Sequence, residues 1–332
     1  MKMANIAIVG ATGMVGRTFL KVLEDRNFPI ENLYLFSSKK SAGSSLEFKG
    51  KNYIVEELNE NSFDRDIDIA LFSAGGNVSL KYAPIAKEKG VIVVDNSSAF
   101  RMHKDIPLVV PEVNPEDIKN HNGIIANPNC STIQAVVALK PLHDKFKIKR
   151  IVYSTYQAVS GSGVNGINDL EEGLKGNKNI FYPHQIANNC LPHIDTFLEN
   201  GYTKEEMKMI NETMKILNDY SLKITSTTVR VPVFNCHSES VNVEFEKTFE
   251  IEDIFKTLRN AHGVVVLDDP SSNEYPLALN VTGKDEVFVG RIRRDFSLDN
   301  GINMWIVADN IRKGAATNAV QIAEYILKYN LI

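Results

Sequence analysis

The chain has 332 residues, a formal net charge of −4 and 43% hydrophobic residues, a profile that fits a globular protein with two domains and sizeable cores. Charges of both signs are mixed along it without a basic stripe, which speaks against a nucleic-acid partner, and no apolar run approaches the roughly 20 residues that span a bilayer. Cys130, Cys190 and Cys236 are too few and wrongly spaced for a disulfide framework or a structural zinc site, so the expectation is a metal-free protein of a reducing cytoplasm that acts on a small molecule. The opening MKMANIAIVG enters a strand with no h-region or cleavage site, so neither export nor membrane insertion is expected.

In chain order, NIAIVG predicts a strand, residues from about 13 to 25 a helix, LYLFS and IDIALFS strands, residues from about 77 to 89 a helix, and VIVVDNS a strand. Near-continuous apolar runs alternating with amphipathic stretches imply an α/β fold of Rossmann type, a doubly wound parallel sheet. From about residue 147 the texture changes to long alternating segments, RIVYSTYQAVSG, LKITSTTVRVPVF and ESVNVEFEKTF. Val241, Val243 and Phe245 share one face and Asn242, Glu244 and Glu246 the other, which predicts a second, α+β domain with a mostly antiparallel sheet covered on one side. The tail from residue 314 onward reads as a helix that returns to the first domain. The expected domains are therefore 1–128 completed by 312–332, and 129–311.

IAIVGATGMVG places Gly10, Gly13 and Gly16 where a strand turns into a helix, a variant of the dinucleotide fingerprint. Such glycines let the backbone approach a pyrophosphate seated on the helix N-terminus. In NAD-binding versions an acidic residue closes the second strand; here the strand runs into Ser37-Ser38-Lys39-Lys40-Ser41, hydroxyls and cations suited to a 2′-phosphate, hence NADP. For the two lysines individually, a solvated turn is the alternative.

Cys130 follows Asn127-Pro128-Asn129 and opens a predicted helix, a position that favours the thiolate, the nucleophilic form. A free cysteine is more often a small buried hydrophobe, but a base candidate exists in His237. Strand alternation sends the neighbouring Cys236 to the opposite face. His103, His121, His143, His184, His193 and His262 read as surface or core residues. Glu212 and Lys215, three apart on a helix, read on their own as a solvated pair. Arg230 in an apolar strand needs a partner, and a carboxylate suits its fork.

Together GATGMVG, SSKKSAG (37–43), DNSSAFR (95–101), PEVN (111–114), NPNCST (127–132), QAVSGSG (157–163), NETMK (211–215) and RVPVFNCHS (230–238) resemble the aspartate-semialdehyde dehydrogenases over nearly the whole chain. The resemblance implies NADPH-dependent reductive dephosphorylation of L-aspartyl-4-phosphate to L-aspartate-4-semialdehyde, on the route to lysine, threonine and methionine. It implies Cys130 as the nucleophile that forms a thioacyl intermediate, His237 as general acid/base and Gln157 orienting the intermediate. Arg230 would hold the substrate carboxylate and Glu212 its amino group, with Arg101, Lys215 and Asn129 at the phosphate. Cofactor contacts would come from Gly10, Thr12, Gly13, Met14, Val15, Ser37, Ser38, Lys40, Ser41, Ser73, Gly75, Ser160, Gly161 and Asn310, and the assembly would be a homodimer or a dimer of dimers. Lys40 stands where arginine is more usual, giving a point charge in place of a fork. The competing readings are an N-acetyl-gamma-glutamyl-phosphate reductase and a catalytically silent NADP-binding protein.

Overall fold

The structure, a computed structural model, describes residues 3 to 332 and divides into two compact units, residues up to 129 with 315–332, and residues 130–314. The first unit contains β1 (Ala4–Val9), α1 (Met14–Asp25), β2 (Ile30–Ser37), β3 (Ser45–Phe48), β4 (Lys51–Glu57), β5 (Ile69–Phe72), α2 (Gly76–Glu88), β6 (Ile92–Asp95) and β7 (Ile124–Ala126). They form one sheet in the order β3-β4-β2-β1-β5-β6-β7, parallel except for the β3–β4 pair. Every residue of β1, β5 and β6 is buried, which explains runs that are apolar without alternation. Strand order reverses at β1, flanked by β2 and β5, so the loops after these strands gather at a topological switch point.

The second unit begins with α3 (Cys130–Phe146) and β8 (Ile148–Gln157), followed by α4 (Gly163–Leu174), α5 (Lys204–Leu217), β9 (Lys223–Arg230) and β10 (His237–Phe245). It continues through α6 (Ile251–Arg259), β11 (Val264–Val266), α7 (Ala278–Val281), β12 (Val287–Asp295) and β13 (Gly301–Ala308). The sheet order is β11-β12-β13-β10-β8-β9. The β8–β10, β10–β13 and β12–β13 pairs are antiparallel, whereas β8–β9 and β11–β12 are parallel. A parallel neighbour requires a crossover, and the β8-to-β9 crossover carries α4 and α5. As the alternation predicts, Val241, Val243 and Phe245 are buried while Asn242 and Glu244 are half-buried and Glu246 is exposed. Twelve of the 17 residues of α3 are buried, so this helix is central to its unit rather than peripheral.

The last helix, α8 (Thr317–Lys328), belongs to the first unit, where Ala319, Val320, Ala323 and Ile326 share a core with Phe19 and Leu23 of α1. Arg26 reinforces this join with a two-pronged bond to Glu324, Nε to Oε1 at 2.8 Å and Nη2 to Oε2 at 2.7 Å. Asn318 donates to the Val109 carbonyl at 2.9 Å and to Asn127 Oδ1 at 2.7 Å, tying α8 to the turn that follows β7.

Backbone crowding is severe where β1 meets α1. A Cβ on Gly16 would lie 2.2 Å from the Gly10 carbonyl oxygen, with only backbone there to yield. Gly16→Ala should therefore cost about 1–3 kcal/mol as overpacking, whereas Gly76→Ala, whose Cβ would meet nothing within 4 Å, should stay within about 0.5 kcal/mol. Equal denaturation midpoints for the two variants would contradict this packing.

Candidate active site

In the first unit, Gly10 has φ +86° and sits so close to the loop after β5 that a Cβ would fall 2.4 Å from the Ser73 carbonyl oxygen. Thr12 Oγ1 and Ser37 Oγ lie 2.8 Å apart and join the glycine loop to the end of β2. No side chain among the described residues caps α1 at Gly13, so its first N–H groups are open to an anion beside partly buried Met14 and Val15. Gly75, with φ +88°, likewise starts α2 without a side-chain cap. Ser37 is buried, Ser41 is half-buried, and Ser38, Lys39 and Lys40 are exposed on a turn closed by Ser41 N–H donating to Ser38 O at 2.9 Å. Strand register adds what the linear reading missed: Glu57 on β4 stands opposite Ser37, so a carboxylate does border this turn. Its signal is invisible without the β2–β4 pairing.

Asn127 anchors the turn that follows β7. It is fully buried, its Nδ2 donates to Asn96 Oδ1 at 2.7 Å and to the Ala315 carbonyl at 3.2 Å, and its N–H donates to the Asp95 carbonyl at 2.8 Å. Arg101, 7% exposed, is oriented by Nε donating to Asn127 O at 2.9 Å and Nη2 to Asn96 O at 3.0 Å. Asn129, also buried, ends the first of this unit's two segments.

Cys130 opens the second unit as the first residue of α3 and is partly exposed. The backbone at Gly314 comes so near that a Cβ there would lie 2.9 Å from Cys130 Cβ. Within the sheet, Gln157 at the end of β8 pairs with Arg230 at the end of β9, and His237 begins β10 one position beyond the Ser238–Tyr156 pair. Three sequence-predicted residues from three strands thus form one row, each about 4.8 Å from the next strand. Thr155 Oγ1 donates to Gln157 Oε1 at 3.0 Å, and Gln157 Nε2 donates to Glu205 Oε1 at 3.1 Å, so both ends of the amide are held. Arg230, 4% exposed, donates from Nη1 to the Ala158 carbonyl at 2.7 Å.

His237 is fully buried, and its Nδ1 accepts the Ala158 N–H at 3.0 Å. In the neutral ring the proton therefore resides on Nε2, which has no hydrogen-bond partner among the described residues. A Cβ on Gly161 would lie 2.9 Å from Arg230 Nη1 and 3.3 Å from His237 Nε2, so this glycine leaves room over both groups. Burial, aided by the Arg230 charge, pushes the imidazole down to about 3. In this arrangement the neutral His237 ring presents its N–H at Nε2, because a bare Nε2 would require a proton on Nδ1, facing the Ala158 N–H.

Asn310, 2% exposed, accepts the Cys236 N–H at 2.9 Å and donates from Nδ2 to Ser160 Oγ at 3.0 Å, joining the two loops that flank His237. Cys236 has φ +69° and points into a small core of Val281, Phe288 and Val307, where burial pushes its thiol up to about 12. On α5, Glu212 is 1% exposed and Lys215 is half-buried, which overturns the solvated-pair reading. Glu205 was not expected at all. It lies inside the capping box of Thr203 and Glu206, where an acidic residue looks like complement to the helix dipole and nothing more. Lys208 Nζ, 3.0 Å from Glu205 Oε2, secures it.

Fold and site together define a semialdehyde dehydrogenase: residues 5–121 match the family "Semialdehyde dehydrogenase, NAD binding domain" and residues 139–313 its "dimerisation domain". The aspartate-semialdehyde dehydrogenase of Aquifex aeolicus is 60% identical, with 99% of each chain covered. The crystal structure of aspartate semialdehyde dehydrogenase II from Vibrio cholerae complexed with ASA is 48% identical, with 99% of each chain covered and a TM-score of 0.94. The Candida albicans enzyme, solved with NADP, is 27% identical over 100% of each chain with a TM-score of 0.80. The chain belongs to the aspartate-semialdehyde dehydrogenase family. That disfavours the acetylglutamyl-phosphate alternative.

The ionisation of His237 gives a direct check. Because its folded pKa is near 3 rather than 6.5, the unfolded chain binds a proton that the native chain refuses as pH falls below about 6.5, and stability declines with it. Unfolding free energies measured from pH 7 to pH 4 should fall less steeply in His237→Asn than in the parent. Identical slopes would show that the imidazole is charged in the folded state.

Proposed function

We propose that the chain carries out the reversible, NADPH-dependent reductive dephosphorylation of L-aspartyl-4-phosphate to L-aspartate-4-semialdehyde, with Cys130 as the covalent nucleophile. The observation that carries this reading is the row of His237, Gln157 and Arg230 on one sheet face, in the unit whose first residue is Cys130.

The glycine cradle fits a dinucleotide, since a side chain on Gly10 or Gly16 would strike backbone. Gly10, Thr12, Gly13, Met14 and Val15 would hold the pyrophosphate side, Ser37, Ser38, Lys40 and Ser41 the 2′-phosphate, and Ser73, Gly75, Ser160, Gly161 and Asn310 the remainder. NADPH, when bound, supplies the hydride that reduces the Cys130 thioester.

An acyl phosphate is already activated, so the protein's task is to present a soft nucleophile and stabilise charge. The α3 N-terminus favours a thiolate at Cys130. As that sulfur attacks, phosphate leaves and negative charge passes through the acyl oxygen. His237 donates from Nε2 to that oxygen, and the Ala158 N–H keeps the proton there. Gln157, immobilised by Thr155 and Glu205, orients the intermediate. Arg230 grips the substrate carboxylate and buried Glu212 its amino group, while Arg101, Asn129 and Lys215 receive the phosphate. The two units divide the work as NADP-binding and as catalytic and dimerising. Membership of a family of biosynthetic enzymes with a dimerisation domain supports a cytoplasmic homodimer, or a pair of dimers, in amino-acid biosynthesis.

Cys130→Ser should bind NADPH normally and lose nearly all turnover; parent-like activity would exclude the covalent route. In the semialdehyde-oxidising direction phosphate is a separate substrate, which allows the two anion sites to be resolved. Lys215→Ala should raise KM for phosphate far more than KM for semialdehyde. Arg230→Lys keeps the charge but loses the two-point grip, so it should chiefly lower kcat, by about 100-fold for a misplacement near 1 Å. Equal effects on both substrates in both variants would refute the division.

A further inference from the structure

One row behind His237, the same face of the sheet carries a second polar layer. Glu239, two residues along β10, stands opposite Thr155 on β8, which stands opposite Thr228 on β9. The next row holds Val241, Tyr153 and Ser226. Glu239 is 0% exposed, and neither of its carboxyl oxygens has a hydrogen-bond partner among the described residues. The same holds for Thr228 Oγ1, Ser226 Oγ and Gln134 Oε1, all buried. Gln134 lies on α3, and its Nε2 donates to the His237 carbonyl at 3.3 Å.

Buried polar atoms are almost always hydrogen-bonded, and where side chains do not meet each other an ordered water with two to four polar partners does so. A single such atom could be an accident of packing. Here five belong to side chains on β9 and β10, the two strands that flank β8 in register, and on α3, and one of the side chains is a carboxyl that nothing in the mechanism uses. We propose that these groups enclose a buried water site behind His237, and that Glu239, acting through this water and Gln134, is a positioning residue for the imidazole.

A carboxylate in such a place would need a cation, but burial alone governs Glu239 and raises it well above the usual carboxylate range. The neutral acid offers one O–H donor and a carbonyl acceptor. That combination suits a water that also meets hydroxyls and the Gln134 carbonyl. Gln134, held at Oε1, then donates from its own Nε2 to the His237 backbone carbonyl, and the ring is kept under the Ala158 N–H. The inference rests on the reading of His237 as the donor to the acyl oxygen.

The test compares Glu239→Gln, Glu239→Leu and His237→Asn in the full-length protein. The parent should show, in its infrared spectrum at neutral pH, the carbonyl stretch of a buried protonated carboxyl group that Glu239→Gln lacks, and a high-resolution crystal structure should show ordered water against Glu239. Glu239→Gln, neutral and hydrogen-bonding, should keep kcat within about threefold, while Glu239→Leu should lose about 10- to 100-fold in kcat with little change in KM for the semialdehyde. Parent-like kcat in Glu239→Leu, the absence of the carboxyl band, or Glu239 oxygens that touch no water would each overturn the proposal. Should the leucine variant not fold, the infrared band and the crystal structure decide alone. His237→Asn separates the two ideas: full activity there removes the role of His237 itself, whereas an inactive His237→Asn beside a fully active Glu239→Leu removes only the role of Glu239.

Discussion

The catalytic surface depends on the register in which β8 is held between β9 and β10. Because side chains alternate along a strand, a slip of one residue in either pairing would turn Arg230 or His237 to the opposite face and leave Gln157 without its neighbours. Register is secured by the apolar half of the same face, where Tyr153, Val241, Val243 and Phe245 are buried. The stability of the core and the placement of the polar row are thus one property of the sheet. The hydrogen bond from Ala158 to His237 exists only in this register, since it links the residue after β8 with the residue that starts β10.

Much of the fold is legible in the sequence because its signals are local. The uniform apolar runs of β1, β5 and β6 and the alternation in β10 follow directly from burial on two faces or on one. The glycine loop is legible for the same reason, since its constraint is steric and lies within a few residues. Parallel pairing of β8 with β9 is not legible, because nothing in either strand tells on which side its neighbour runs.

Functional residues divide along the same line. Cys130, His237 and Gln157 stand in recognisable motifs, and their positions at element ends can be read from the chain. Glu205, Glu57 and Glu239 look from sequence like a helix-start acid, a strand-end acid and a strand acid of no special kind. Only the folded structure shows that the first fixes Gln157, that the second borders the turn after β2, and that the third is wholly buried. The tautomer of His237 is equally hidden, because the group that sets it is a backbone N–H that every residue except proline carries.

The parallel β8–β9 pair obliges the chain to leave the sheet and return, and the excursion delivers α5 to the unit that holds the polar row. Glu205, Glu212 and Lys215 therefore ride on a segment whose own residues form no part of the sheet. The strand ends contribute Gln157, Arg230 and His237 to the row, and the crossover helix contributes Glu205, which holds Gln157, on the same element as Glu212 and Lys215. The loops on either side of α5 can therefore change in length without disturbing the register that aligns the strand ends, provided the helix still brings Glu205 to Gln157.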